Sequence, residues 1–435
     1  MNNRLNKLEK SWILYDVANS AFILLVSTIM PIYFRYLGAE SGLSASDCMV
    51  YWGYAASVVT LIVAVLGPVL GALADMKDFK KPVFTGMLLL GVAGCMLLGF
   101  MQSWIWFLGI FVLTKVGYST GIIFYDAMLT DVTTEERMDR LSSLGYAWGY
   151  IGSCVPFVIS LALVLGAGKS GITTPVAMAG AFTLTGIWWL IMSVPLIRQY
   201  RQKFFVEKMD RPVRTSFTRL KTTFHDIRKD KKVLLYLLSF FFYIDGVYTI
   251  IDMATAYGES LGLDSTGLLI ALLVTQIVAF PSAILLGRFA RRFRAENLIS
   301  VCILAYLGIA VFAIQLNTQA EFWILAIAVG MFQGTIQALS RSYFAKIIPK
   351  EKAGEYFGIM DICGKGASFL GTTMVAFFTQ ITGSSSAGVS VLTIFFIAGF
   401  LIFRKSVSVG KEKEERLGKE KEERLEKTKK VLVAR

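Results

Sequence analysis

RQYRQKFFVEKMDRPVRTSFTRLKTTFHDIRKDKK, residues 198–232, is the longest polar break in a chain that is otherwise largely apolar from Trp12 to Phe403. It holds twelve Lys and Arg residues and the single histidine, His225. Before it, apolar runs of helix-spanning length lie near 12–36, 50–73, 83–101, 104–125, 141–166 and 174–197. After it, six more lie near 233–257, 264–287, 297–316, 321–345, 355–381 and 386–404. A hydrocarbon core of roughly 30 Å needs about 20 apolar residues per helix. Twelve such helices consume most of the 435 residues and leave short loops.

Placing this break in the cytoplasm orders the rest. Of 44 Lys and Arg residues, all then fall on the cytoplasmic side except four. Arg35 and Lys169 lie on the opposite face, and Lys115 and Lys365 lie inside spans. Cytoplasmic loops carry such an excess, so both termini are expected in the cytoplasm. The expected fold is an all-α polytopic membrane protein with twelve transmembrane helices in two six-helix bundles. The bundles are expected at 1–197 and 233–404, with a basic linker at 198–232 and a charged tail at 405–435.

Composition agrees. The chain is 55% hydrophobic and 17% charged, whereas soluble domains are about a quarter charged. The net charge of +13 reads as the bias of a membrane protein, with some attraction to anionic lipid. No basic stripe with interleaved aromatics points to nucleic acid. The first apolar run follows Arg4, Lys7 and Lys10, is long and lacks a small-residue cleavage site, so it reads as the first span. Cys48, Cys95, Cys154, Cys302 and Cys363 are scattered without a CxxC pair, and are expected to pack rather than bind metal or form disulfides. Neither a cofactor nor a metal is expected.

The linker reads as flexible, with a possible amphipathic helix on the inner leaflet. In the tail, GKEKEERL at 410–417 recurs unchanged at 418–425. An eight-residue period sustains no heptad stripe, so a solvated, partly helical tail is expected. The two halves look like repeats. Gly71-Ala-Leu-Ala-Asp75 and Gly287-Arg-Phe-Ala-Arg291 are offset by 216, and the same offset aligns Glu135 and Asp139 with Glu351 and Glu355. Parallel six-helix repeats place a substrate site near the midplane between them.

With the six-plus-six layout, Gly71-Ala-Leu-Ala-Asp75-Met-Lys-Asp-Phe-Lys80-Lys81 resembles the loop signature of the major facilitator superfamily. A closer resemblance, to its vacuole-effluxer branch, is carried by four stretches. These are Ser11-Trp-Ile-Leu-Tyr15-Asp16-Val-Ala-Asn19-Ser20-Ala-Phe22, Tyr243-Ile-Asp245-Gly246-Val-Tyr-Thr249-Ile250, Gln333-Gly334-Thr-Ile-Gln337-Ala-Leu-Ser340-Arg341-Ser342 and Phe357-Gly358-Ile-Met-Asp361-Ile-Cys-Gly364-Lys365. That branch includes bacterial relatives of the fungal autophagy-linked amino-acid permease. Two departures stand out. Arg291 replaces the Asp of the second loop signature, and Asp126 stands where relatives often carry Asn.

Ionisable residues inside spans are costly and usually face the protein interior or a water-filled cavity. In the fold the resemblance implies, spans one, four, seven and ten line a central cavity. Lys115, Asp245 and Gln333 then fall at mid-depth, with Gln337 a turn beyond Gln333 and Asn19 on span one. Lys115 could meet a substrate carboxylate and Asp245 an amine; a purely structural Lys115–Asp245 pair is the alternative. Lys365 is a further substrate-site candidate, spaced i, i+4 from Asp361 as an intrahelical ion pair. With no histidine in a span, Asp245, Asp16 and Asp361 are the proton-coupling candidates. The resemblance gives Gly71, Asp75, Lys80 and Lys81 a gating role, Asp75 by hydrogen-bonding helix termini in one conformation only. Arg341, at the cytoplasmic end of span ten, is a further gate candidate. Gly145, Gly149 and Gly152 allow close helix approach, and Trp12, Trp104 and Trp323 read as interface anchors.

The expected function is a secondary transporter of a small polar solute, an amino acid or relative, working by alternating access. Efflux follows from the resemblance alone. The expected partners are that solute, the lipid bilayer and protons as a candidate coupling ion, with the chain acting as a monomer. A drug or sugar substrate on the same fold stays open, since fold does not fix function. A membrane enzyme or scaffold is disfavoured, because the chain lacks HExxH, GxSxG and a Walker A loop.

Overall fold

The structure, a computed structural model, describes residues 4–433 apart from 168–170, 208–211 and 291. Lys169 and Arg291 therefore lie outside the described residues. The first crossing is made by α1 (Lys7–Ser27) and α2 (Ile29–Glu40), followed by α3 (Ala45–Ala74) and α4 (Lys80–Leu98). Next come α5 (Trp104–Ala127) with the short α6 (Leu129–Val132), then α7 (Glu135–Leu165) and α8 (Thr174–Gln199). After α9 (Pro212–Lys229), the second half runs through α10 (Lys231–Ser260), α11 (Ser265–Phe289) and α12 (Ala295–Ile314). It finishes with α13 (Gln319–Ile347), α14 (Ala353–Thr382) and α15 (Ser385–Val433). Eleven crossings are long and apolar enough to span a bilayer over their described residues; α14, a helix of 30 residues, is the twelfth in place. The last span and the duplicated tail form one unbroken helix of 49 residues.

Local chemistry sets the ends. The α1 helix starts with a capping box: Asn6 Oδ1 accepts from Glu9 N–H at 2.7 Å, and Glu9 accepts from Asn6 N–H at 2.9 Å. The first crossing breaks at Thr28 because Pro31 has no N–H for the Ser27 carbonyl and its ring crowds that position. Ser27 and Thr28 hydroxyls turn back to the Ile23 and Leu24 carbonyls. Leu61, Val65, Ile105, Trp106, Ile191, Ile277, Ile394 and Leu401 are all exposed, as lipid-facing residues must be.

Within each half the helices pack side by side: α1 on α7 and α8, α4 on α5 and α8, α10 on α14 and α15, α11 on α13. The halves meet where α3 packs on α14 and where α7 packs on α11 and α13. These contacts pair the second span with the eleventh and the eighth with the fifth, as a pseudo-twofold relation between repeats requires. Small residues permit the approach within the first half. A side-chain carbon at Gly145 would lie 2.5 Å from Asp16 Oδ2, and one at Gly149 2.7 Å from Ser20 Oγ, so α7 lies directly on α1.

The linker carries the helix that its composition allowed, but it is held to the bundle rather than flexible around Val206. Val206 binds the loop after α3: Lys77 N–H donates to the Val206 carbonyl at 3.0 Å and Val206 N–H to the Asp75 carbonyl at 2.8 Å. The α9 helix docks on α3 and α14 rather than standing clear of the bundle. Its polar face has partners on the protein: Arg219 pairs with Glu355, and Lys352 reaches Asp226 at 3.0 Å.

Candidate gate and substrate site

The linker, Arg4 and the start of the tail share one end of the bundle: Arg137 reaches the Arg4 carbonyl, and Ser406 the Lys232 carbonyl. We term this the basic face. Three layers of contacts join the halves, all between this face and mid-depth.

The outermost layer centres on Asp75. Its carboxylate accepts from the N–H groups of Gly354 and Glu355, at 2.8 and 2.9 Å. Those donors open the α14 helix, where backbone N–H groups lack helical partners and the helix dipole favours negative charge. A side chain at Gly71 would collide with the Gly354 backbone, so glycine is what lets the loop reach. Lys80 lies 3.7 Å from Asp75 and 3.2 Å from Asp131. Asp131 also accepts from Tyr200 Oη at 2.5 Å and from the Lys203 and Phe204 N–H groups at 2.9 Å. Burial pushes the Asp75 carboxyl up to about 7, with the Lys80 ammonium pulling against it and Glu355 adding to it. Burial and the neighbouring Asp131 hold the Tyr200 phenol well above its usual value, so it stays a donor. The basic pair expected here separates: Lys80 is fully buried, while Lys81 is half-buried and forms no ion pair among the described residues.

In the next layer Asp139 of α7 accepts from Ser342 Oγ at 2.7 Å and pairs with Lys346 at 2.5 Å, both on α13. Lys350 reaches Glu135 at 2.6 Å.

The innermost layer is built on Arg341, 4% exposed. Its Nη1 lies 3.0 Å from Asp126 and its Nη2 3.3 Å from Asp16. Nε donates to Ser142 Oγ at 2.9 Å and Nη2 to the Ser142 carbonyl at 3.1 Å. The guanidinium carbon stands 4.6 Å from the Trp12 ring centroid and 4.4 Å from that of Tyr146. Trp12 is therefore not the interface anchor its position near a span end suggested. It is fully buried, stacks on Tyr125 at 4.4 Å and donates to the Tyr125 carbonyl. Arg341 binds the other half of the protein rather than snorkelling to water.

At mid-depth the expected contacts divide. Lys115 lies over the Tyr118 ring at 5.0 Å, and the charges acting on it are Lys365 and Asp252. Asp245 makes no ion pair with Lys115. Its Oδ1 accepts from Thr249 Oγ1 at 3.2 Å and from Gly371 N–H at 3.0 Å, which turns it toward α14. The resting Lys115–Asp245 pair is thus absent: Asp245 takes neutral donors instead, Thr249 from its own helix and Gly371 from α14. Lys365 and Asp361 do form the intrahelical pair, at 2.6 Å. Asn19 and Gln333 are buried with amide nitrogens lacking partners, and Gln337 is half-buried.

Sequence reading alone did not place Asp131, Tyr200, Ser142, Glu355 or Tyr146 in these layers. Two positions carried a signal: Asp126, standing where relatives often carry Asn, and Glu355, aligned with Asp139 by the repeat offset.

The comparisons agree with this architecture. A family model described as "Vacuole effluxer Atg22 like" matches residues 6–136 and 130–417. The uncharacterized MFS-type transporter YxiO of Bacillus subtilis is 43% identical over 92% of this chain and 95% of its own length. Autophagy-related protein 22 of Yarrowia lipolytica is 23% identical over 66% of this chain and 54% of its own. Among solved structures, the E. coli fucose:proton symporter FucP superposes with a TM-score of 0.68 at 14% identity, covering 92% of this chain and 97% of that one. FucP has also been solved in the outward conformation. The chain belongs to the vacuole effluxer Atg22-like family, within the transporters of the major facilitator superfamily.

Proposed function

We propose that this transporter moves a small zwitterionic solute, an amino acid or close relative, outward across the cell membrane by alternating access. The observation that carries the reading is a buried-span cation that no carboxylate contacts directly. Among the described residues Lys115 forms no ion pair and lies over the Tyr118 ring at 5.0 Å, whereas Lys365 is paired with Asp361. An unmatched ammonium inside a bundle is costly, and a substrate carboxylate relieves that cost. Asp361 and Asp252 offer negative charge to the amine end, and Asn19, Gln333 and Gln337 offer amide groups. Asp245, Asp16 and Asp361 are candidates for proton coupling.

The Lys and Arg excess makes the basic face cytoplasmic, with both termini inside the cell. The conformation described is then closed to the cytoplasm, a reading supported by the similarity to FucP, which has been solved in the outward conformation. Flux of labelled amino acids in sealed proteoliposomes, with and without a pH gradient, tests the function. Uptake by the parent is expected, with apparent affinity reduced in Lys115→Met. Uptake of a sugar but of no amino acid sinks the reading.

A further inference from the structure

The innermost gate layer carries one charge too many. Arg341 supplies a single positive charge, yet two aspartates bind it, Asp126 at 3.0 Å and Asp16 at 3.3 Å. Asp361 on α14 also acts on Asp126, and it is itself paired with Lys365. The other titratable groups in its field, among the described residues, include the phenols Tyr118 and Tyr125 on α5, Tyr146 and Tyr150 on α7, and Tyr248 on α10. Tyr15, fully buried, feels both aspartates. With both carboxylates ionised the layer buries a net negative charge, which a protein interior resists. Carboxylates that share one site do not readily ionise together.

Two further facts bear on this imbalance. The side chain of Asp126 is 20% exposed, against 8% for Asp16 and 4% for Arg341, so Asp126 is the member that meets water. Arg341 comes from the second half, whereas Asp16, Asp126 and Ser142 all come from the first. The guanidinium therefore reaches the aspartates only while the basic face is closed.

We propose that Asp16 and Asp126 form a shared site for one proton, which competes with Arg341 and so couples proton binding to opening of the basic face. The proposal rests on the alternating-access reading above. The proton adds to a carboxylate oxygen of the pair, entering through Asp126. The layer becomes neutral, and one of the two ion pairs of Arg341 becomes a weaker hydrogen bond; Arg341 keeps all its protons. When the halves part, Arg341 leaves, and the two acids face each other with only the proton to balance them. Opening thus takes up a proton, and closing returns the guanidinium and gives the proton up.

The test measures the gate without substrate. Spin labels at the exposed positions Glu136 and Glu351, one in each half, report the width of the basic face in nanodiscs, with the five native cysteines replaced by alanine. Parent and Asp126→Asn are compared between about pH 8 and 5. Asn keeps the shape of the side chain but leaves one carboxylate for one guanidinium. The open fraction of the parent should rise relative to Asp126→Asn as pH falls, by up to about tenfold per pH unit where one proton is exchanged. Asp75 titrates in both proteins, so its contribution cancels in the comparison. Superimposable profiles overturn the proposal. Should Asp126→Asn fail to fold, Asp16→Asn is read against the parent in the same way. Because no solute is present, loss of the pH difference removes the proton site, whereas absent amino-acid flux removes only the substrate reading.

Discussion

Asp75 and Glu355 are joined by a hydrogen bond of 2.9 Å from the Glu355 N–H to the Asp75 carboxylate, across the boundary between the two halves. The Glu355 side chain meanwhile points to Arg219 and Thr223 of the linker helix. One residue at the start of α14 therefore ties the loop after α3, the second half and the linker into a single closed face. A change at any of the three should be felt by the other two.

Asp75→Ala is expected to lose two buried, charge-assisted bonds and leave two helix N–H groups unmet. At roughly 1.5–3 kcal/mol for each such bond, the closed face should lose about 3–6 kcal/mol relative to the open one. Turnover in proteoliposomes should fall at least about tenfold, with equilibrium substrate affinity changed much less. Lys80→Ala should behave similarly, since it strands both Asp75 and Asp131. Lys81→Ala should transport like the parent, and an equal loss in that variant counts against the assignment.

The Asp75 latch should also respond to pH. Its carboxyl is raised from 3.8 to about 7 when buried in the closed face. A group raised in one state contributes to that state fully below its unperturbed value, and the contribution is lost as pH rises through the raised value. Asp75 therefore favours closure below 3.8 and loses that effect on the way up through about 7. Asp75→Asn should remove this component from the spin-label distances, which a pH titration of the two proteins reads directly.

The docked linker predicts an effect from residues outside every span. Arg219 also donates to the Ala72 carbonyl at 3.2 Å. Arg219→Ala should leave Glu355 buried without its cation and weaken the closed face by roughly 1–3 kcal/mol. Protease should then cut the 212–229 segment faster in membranes carrying the variant. Unchanged cleavage would mean that α9 does not depend on this contact.

Topology gives a test independent of transport. A reporter active only outside the cytoplasm should be silent when fused after Lys405 and active when fused near Ile172. An active fusion at Lys405 would place the basic face outside and reverse the proposed direction of opening.

At mid-depth, Lys115→Met should reduce substrate affinity by roughly 10- to 100-fold, the equivalent of about 1.4–2.8 kcal/mol. Asp245→Asn should act through α14 instead, because its carboxylate accepts from Gly371 N–H rather than facing Lys115. Calorimetric binding to the two variants separates these roles. Equal losses in both would restore the direct pairing that the structure lacks.

By itself the sequence determined the span count, the six-plus-six layout and the collection of Lys and Arg on one face. The bilayer demands about 20 apolar residues per crossing and biases charge across it, and both constraints are written locally along the chain. The Gly71–Asp75 loop was legible for the same reason, since its glycine, acid and Lys80 lie within ten residues of one another. The partners were not. Asp16 and Arg341 are 325 residues apart and meet in one buried layer between the halves, and nothing in the spacing of either marks the other. Composition left the linker free, but docking on α3 and α14 gave Arg219 and Thr223 a shared partner in Glu355. Lys115 and Asp245 looked complementary by depth, yet depth along a helix does not say which way a side chain turns. Only packing decided that, because Gly371 has no side chain to keep its N–H from Asp245, and a buried carboxylate takes the donors that reach it.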